Sequence, residues 1–209
     1  MIQIARRGVC LILSAPSGAG KTAIAEALLA TEPELERSIS VTTRARRPAE
    51  IDGVHYHFLT EDEFQRAEQA GELLEWARVL QGTHAYGTPR APVERALAAG
   101  RDVVFDIDWQ GHQQLRQKLP ADAVSVFVLP PNIAALRARL VGRAGDGTEE
   151  IERRMRVACD EIRHWVEFDH VVINEDLAVA TEAVRAVLHA ARVATSRLIG
   201  LPDYVRSLT

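Results

Sequence analysis

Residues 11 to 22 read Leu-Ile-Leu-Ser-Ala-Pro-Ser-Gly-Ala-Gly-Lys-Thr, an apolar strand that runs into a glycine-rich turn. Gly18 and Gly20 admit backbone angles closed to other residues, which lets successive N–H groups converge on one small hollow. The residues that follow, Lys-Thr-Ala-Ile-Ala-Glu-Ala-Leu-Leu-Ala, form a strong helix sequence, so the dipole and the unpaired N–H groups of its first turn face the same hollow. The stretch therefore predicts a phosphate cradle made by Ala15, Pro16, Ser17, Gly18, Ala19 and Gly20. Lys21 would reach the β- and γ-phosphates of a nucleotide, and Thr22 a magnesium ion. Ala15 stands where the motif usually has glycine, and a ligand-free β-to-α turn is the plain alternative. Lys21 argues against that alternative. Of 25 Lys and Arg residues only Lys21 and Lys118 are lysine, so a composition that otherwise chooses arginine keeps a compact ammonium here.

With 209 residues, 47% of them hydrophobic and 26% charged, the chain has the makeup of one ordinary globular domain. A net charge of −4 provides no basic field for nucleic acid or an anionic membrane, and neither is expected as a partner. Arginines nevertheless cluster at Arg37, Arg44, Arg46 and Arg47, and again at Arg137, Arg139, Arg143, Arg153, Arg154 and Arg156, which suggests two phosphate-handling regions. A solvated helix face accounts equally well for part of the second cluster. Cys10 and Cys159 lack ligand-like spacing, and a reducing, cytoplasmic setting fits them. Arg6-Arg7 before a short apolar run imitates a signal peptide, but cleavage there would destroy the cradle.

Around that stretch an α/β rhythm is legible. Residues 8 to 14 read as a buried parallel strand and 20 to 30 as its crossover helix. Residues 38 to 41 and 54 to 58 alternate as short strands on either side of the arginine-rich 42 to 50. Thr60 and Glu63 form a capping box for a helix over 61 to 70 that stops at Gly71. A strand at 73 to 79 turns back through 81 to 87, closing a β-rich insertion over 38 to 88. Thr88 reads as an N-cap with Pro89 at the first helical position and Gly100 as terminator. Strands follow at 102 to 107, 123 to 129 and 171 to 173. Helices are expected at 109 to 118, from Pro130-Pro131 to Leu140, from Thr148 to about Phe168, and over 177 to 198. The pattern predicts a P-loop NTPase-type parallel sheet with helices on both faces and ligands at the carboxyl ends of its strands. Asp106 and Asp108, two apart on one strand, should leave the same face beside the cradle, with Asp106 holding magnesium through water.

Several stretches together resemble the guanylate kinase family, enzymes that move a phosphoryl group from ATP to GMP. They are the cradle, Thr42-Thr43-Arg44 with Arg47-Pro48 and Glu50, Tyr56, Glu75-Trp76 and Tyr86-Gly87-Thr88. Asp106-Ile107-Asp108-Trp109-Gln110-Gly111, Pro130-Pro131, Gly142-Arg143 and Val172-Ile173-Asn174-Glu175-Asp176 complete the match, which covers nearly the whole chain. The resemblance implies one domain over 1–209, with a core (1–37, 89–137 and 158–209), a GMP-binding part (38–88) and a helical lid (138–157). It implies that Ser40, Glu75 and Asp108 read guanine, that Arg44, Arg47, Tyr56 and Tyr86 hold the GMP phosphate, and that Glu50 and Thr88 belong to the same set. Lys21 and Arg44, with Arg139, Arg143 and Arg154 of a lid hinged at Gly142, Gly145 and Gly147, would act in catalysis. Asn174 would lie near the adenine of ATP.

The chemistry of these residue types agrees with such roles. Guanine presents N1–H and N2–H₂ donors side by side, which one carboxylate can accept, whereas adenine offers an acceptor at N1. Arginine forks match phosphate oxygens, and a tyrosine hydroxyl adds a directional donor. Without the resemblance, Glu75 would read as a surface carboxylate. Two rivals stand beside the ATP:GMP kinase reading: a non-catalytic interaction module of the same fold, which would tend to lose Lys21, and a P-loop kinase of another nucleotide or a sugar phosphate, which would not need Ser40, Glu75 and Asp108.

The chain also departs from the family pattern. Ala49 replaces a glycine. The segment between Glu75 and Tyr86 is longer by an even number of residues, which preserves side-chain parity. Ala85 stands where an aromatic is common, and on that reading the hairpin should pack loosely and Ala85→Tyr should improve GMP binding. His55-x-His57 lacks a third ligand and is not expected to hold a metal. The number of copies in the assembly is left open.

Overall fold

The computed structural model describes residues 4–79, 83–141 and 148–209. Two sheets organise it. The strands β1 (Cys10–Ser14), β2 (Leu35–Arg37), β7 (Asp102–Asp106), β8 (Ala123–Leu129) and β9 (His170–Ile173) form a parallel sheet in the order β2-β7-β1-β8-β9. The strands β3 (Val41–Thr42), β4 (His57–Phe58), β5 (Leu73–Val79) and β6 (His84–Pro89) form a second sheet in the order β4-β3-β6-β5.

β1 is central and buried along its whole length, and its side chains alternate between two cores. Leu11 and Leu13 pack with Ile24 and Leu28 of α1 (Lys21–Thr31) and with Val184 and Leu188 of α7 (Leu177–Arg192). Cys10 and Ile12 face the other way, among Val93 and Leu97 of α3 (Arg90–Ala98), Phe105, and Leu115 of α4 (Trp109–Lys118). Helices on both faces leave the carboxyl ends of β1 and β7 open, and there the chain leaves β1 for the glycine-rich turn. A separate apolar cluster joins α5 (Ile133–Val141) to α6 (Thr148–Ile162) through Leu136, Leu140, Met155 and Ala158.

The second sheet is tied to the core by α4. Gln114 behaves like a strand edge towards β5: its Oε1 accepts from the Trp76 N–H (3.1 Å) and its Nε2 donates to the Trp76 carbonyl (2.8 Å). Lys118 donates to the Leu73 carbonyl at 2.9 Å. The helix α2 (Glu61–Gln69) carries the expected capping box at Thr60 and Glu63, and Gly71 ends that segment with φ 69°.

Several boundaries fall elsewhere than the sequence suggests. Residues 38 to 40 are no strand, because here the chain crosses between sheets: the Ser38 N–H goes to the Val104 carbonyl (3.0 Å), whereas the Ser40 carbonyl accepts from His57 (2.9 Å). The strand expected at 54 to 58 is reduced to His57–Phe58, since the Gly53 N–H closes a turn onto the Tyr56 carbonyl at 2.8 Å. Thr88 is not an N-cap. It lies in β6, its hydroxyl donating to the Glu75 carboxyl across the ladder, and Pro89 takes the cap position of α3.

Asp108 is not on the strand with Asp106 but caps α4, accepting from the Gly111 N–H at 2.8 Å. The helix after Pro130-Pro131 starts at Ile133, with the Asn132 side chain accepting from the Ala135 N–H (2.8 Å). α6 stops at Ile162 and continues as a turn of 3-10 helix, Arg163–Glu167. The final helix stops at Arg192 instead of 198. Arg197 is buried and donates to the Gly8 and Asp122 carbonyls (both 3.0 Å), which turns the chain into a 3-10 turn and then α8 (Leu201–Leu208).

Candidate active site

The phosphate loop is built by residues that leave no room for alternatives. Gly20 ends the turn in the left-handed region, with φ 98°, and a Cβ there would lie 2.2 Å from Asn174 Nδ2. Gly18, at φ 90°, sits against Leu136 and Leu140, so α5 leans directly on the loop. Asn174, which follows β9, is buried and donates to the Ala19 carbonyl at 2.7 Å, and Arg139 donates to the Asn174 and Ala19 carbonyls at 3.0 and 3.4 Å. These two therefore grip the back of the phosphate loop.

In front of the loop Lys21 Nζ lies 2.7 Å from Asp106 Oδ1 and donates to the Ile107 carbonyl at 2.8 Å. Thr22 Oγ1 donates to Asp106 Oδ2, also at 2.8 Å. A hydroxyl and a carboxylate converge beside the phosphate hollow, the hard oxygen donors that a magnesium ion accepts. The two side chains fit the ion that the sequence suggests. The cleft here holds about 330 Å³ and is lined by loop residues 15 to 18 and 20 to 23, with Asp106, Asp108 and Glu161.

A second cleft, of about 320 Å³, opens on the other side of Asp106 and is lined by Arg37, Ser38, Ser40, His55, Tyr56 and Thr88 among others. Thr88 on β6 donates its hydroxyl to Oε1 of Glu75, its partner across the ladder on β5, at 2.6 Å. Glu75 is only 6% exposed, and a Cβ at Gly111 would stand 3.1 Å from its second oxygen. Burial pushes its carboxyl up to about 7; the Thr88 hydroxyl and Lys118 oppose the rise and Asp108 adds to it.

Near that cleft a phosphate-type cluster is assembled. Arg44 donates to Tyr86 Oη at 3.2 Å and to Glu50 Oε1 at 2.7 Å, and its guanidinium lies 5.6 Å from the Tyr56 ring centre. The Tyr56 and Tyr86 rings meet edge to face at 5.9 Å. The hydrogen bond from Arg44, and then that from the Arg47 N–H, hold the Glu50 carboxyl below its usual range. Arg47 joins this group through its backbone, its side chain being exposed. His55 accepts from the Ile51 N–H at 3.0 Å, a structural use of the ring.

Of the expected lid arginines, Arg139 is on the loop, Arg154 donates to Glu150 at 3.1 Å, and Arg143, like Gly142, Gly145 and Gly147, lies outside the described residues. The sequence reading missed Ser38 and Glu161. Ser38 carries no periodic signal, since it lies where the chain crosses between the sheets. Glu161 carries no local signal, since it reaches the loop only through the packing of α6.

A parallel sheet whose first strand feeds a phosphate loop, with a second cleft meeting it at one aspartate, defines the P-loop kinase class. The guanylate kinase family profile matches residues 7–191. The chain is 60% identical over 209 residues to a guanylate kinase of Gluconobacter oxydans (100% of both chains), and 57% identical over 205 residues to one of Chelativorans sp. (98% of this chain, 93% of that one). The crystal structure of guanylate kinase from Anaplasma phagocytophilum superposes with a TM-score of 0.78 at 33% identity, covering 98% of this chain and 96% of that one. The chain belongs to the guanylate kinase family. No helix among the described residues is long and apolar enough to cross a membrane.

Proposed function

We propose that the chain transfers the γ-phosphoryl group of ATP to GMP, giving ADP and GDP, with the phosphate loop as donor site and the second cleft as acceptor site. The observation that carries this reading is the meeting of the two clefts at Asp106, one with an anion-binding loop and the other backed by a buried carboxylate suited to paired donors. An interaction module has no use for Lys21 placed between Asp106 and the loop, and a sugar-phosphate kinase has none for Glu75 behind Thr88.

Glu75 behind the acceptor cleft, with Ser40 of its lining and Asp108 at the start of α4, reads guanine by accepting its N1–H and N2–H₂. Arg44, Tyr56 and Tyr86, held by Glu50, fix the GMP phosphate, and Arg47 adds a fork from the rim. That phosphate, with a second pKa of about 6, is already ionised near neutrality, so one of its oxygens attacks the γ-phosphorus without a protein base while the bond to ADP breaks. Lys21 leaves Asp106 for the oxygens of the transferring group and offsets the charge that spreads over them. Thr22, and Asp106 through water, would hold magnesium, which supplies further charge neutralisation on the donor phosphates. Asn174 and Arg139 keep the loop N–H groups aimed, and Arg143 and Arg154 reach the phosphates from the lid. The parts 38–88 and 138–157 act as acceptor-binding and lid segments on the remaining core.

Coupled assays with GMP, AMP, UMP and a sugar phosphate as acceptors test this reading. Turnover confined to GMP is expected. Comparable turnover with another acceptor would remove the role given to Glu75.

A further inference from the structure

Glu161 stands on the last turn of α6, yet it lines the donor cleft, and its Oε2 accepts from the Ser17 backbone N–H at 3.3 Å. Ser17 lies within the phosphate loop, so a side-chain anion has settled on a backbone donor of the hollow meant for phosphate oxygens. Burial pushes its carboxyl up, the Ser17 N–H and Lys21 oppose the rise, and Asp108 adds to it.

The helix pair that delivers it touches the loop at a second point, where Leu136 and Leu140 of α5 cover Gly18. Beyond Glu161 the chain is fastened to α4. The His164 ring stacks on Trp109 with centres 3.6 Å apart and planes 8° from parallel, and Glu167 accepts from Gln113 at 2.7 Å. The carboxylate is thus presented from a fixed base at the end of α6, while the rest of α5 and α6 shares its own small core.

We propose that Glu161 is a built-in competitor of the donor phosphates, occupying the Ser17 side of the loop in the nucleotide-free chain and yielding that place when the triphosphate enters. The nature of the donor rests on the kinase reading above; the competition rests on the contact alone. Two anions cannot share one N–H group and one ammonium without repulsion, so the carboxylate has to swing out by rotation of its own side chain, away from a helix end that stays fastened to α4.

The test is a calorimetric titration of the intact chain and Glu161→Gln with Mg-ATP, with inorganic tripolyphosphate and with GMP. The amide keeps the shape and can still accept from Ser17, but it carries no charge. Glu161→Gln should tighten Mg-ATP and tripolyphosphate by about threefold to tenfold, less than a full charged hydrogen bond because the amide still accepts from Ser17, and leave GMP unchanged. A carboxylate that merely supports the loop would give the reverse, weaker donor binding. Unchanged or weakened ATP binding overturns the proposal, and so does an equal gain for GMP, which would mark a general charge effect. Should Glu161→Gln fail to fold, Glu161→Asp decides in the same way, since the shorter side chain withdraws from Ser17. Binding of Mg-ATP to the unaltered chain, read in the same titrations, reports on the kinase reading separately.

Discussion

Glu75 concentrates the conflict between stability and recognition at one residue. Its carboxyl titrates at about 7 in the folded chain, against 4.5 for an exposed glutamate. Below pH 4.5 the group is protonated whether the chain is folded or not and has no effect on stability. Between 4.5 and 7 the folded chain holds a proton that the unfolded chain has released, so folding stability falls across that window and is level above it. The 2.5-unit difference corresponds to a cost on the order of 3 kcal/mol at pH 8. Guanine, however, needs the ionised form, so GMP binding must expel the proton. GMP affinity should therefore rise from pH 6 to pH 8, beyond what ionisation of the GMP phosphate explains, and Glu75→Gln should remove that excess. The same variant should weaken GMP by about 1.5 to 3 kcal/mol while raising folding stability at pH 8. Calorimetric binding at the two pH values and urea unfolding at pH 8 check both halves. A Glu75→Gln chain that loses GMP affinity and stability together would make Glu75 a structural residue.

At the scale of the element, the β5–β6 hairpin reverses one expectation. Ala85 has not left a gap. It is fully buried with Val41, Phe64 and Leu73, and it lies opposite Arg78 in the ladder. Its N–H donates to Thr43 Oγ1 at 2.8 Å, and its carbonyl accepts from the Thr43 N–H and Thr42 Oγ1, both at 3.0 Å. A phenol ring inserted here overpacks a filled site, so Ala85→Tyr should cost about 1 to 3 kcal/mol and leave the KM for GMP no better. Thermal unfolding and initial rates decide it; a lower KM at undiminished stability would restore the looser hairpin. Tyr86, one residue on, is paired with Ala77 and still meets Arg44, as even parity requires.

Elements whose cause is local were legible in the sequence. β8 falls at the expected residues because an apolar run decides it, α4 falls where expected with Arg116 and Lys118 in its last turn, and α2 follows from its capping box. What distant contacts decide was not legible. Thr88 was drawn into β6 by Glu75, α7 was ended by the burial of Arg197, and 38 to 40 became a crossing between sheets that no periodicity announces. The same division holds in the site. Lys21, Thr22 and Asp106 come together from the loop motif and a strand end, whereas Glu161 arrives through helix packing and Asn174 holds the Ala19 carbonyl from the end of β9.

Across the whole molecule, the parallel sheet separates chemistry from anchorage. Reaction groups gather at the carboxyl ends of its strands, and an ionic layer closes the other end. Asp102, fully buried at the start of β7, accepts from Arg6 at 2.7 Å, from Arg192 Nε at 2.7 Å and from the Val9 N–H at 2.8 Å. It thereby ties the entry to β1 and the end of α7 to one carboxylate. Asp106, at the other end of the same strand, is four steps of about 3.3 Å away, some 13 Å along β7. Asp102→Ala leaves the Val9 N–H without an acceptor and weakens the hold on two arginines. Arg6 keeps Glu34 at 2.9 Å and Arg192 keeps Glu32 at 2.7 Å, which limits the damage. Removing one partner of a buried pair typically costs 3 to 5 kcal/mol, so a loss near the lower end, about 3 kcal/mol, is expected in urea unfolding. Because sites this far apart with no shared partner act independently, kcat and the KM values for ATP and GMP should stay within about twofold at a temperature where the variant is folded. A variant that keeps its stability, or a folded one that loses kcat, would mean that the sheet transmits strain from its anchored end to the phosphate loop.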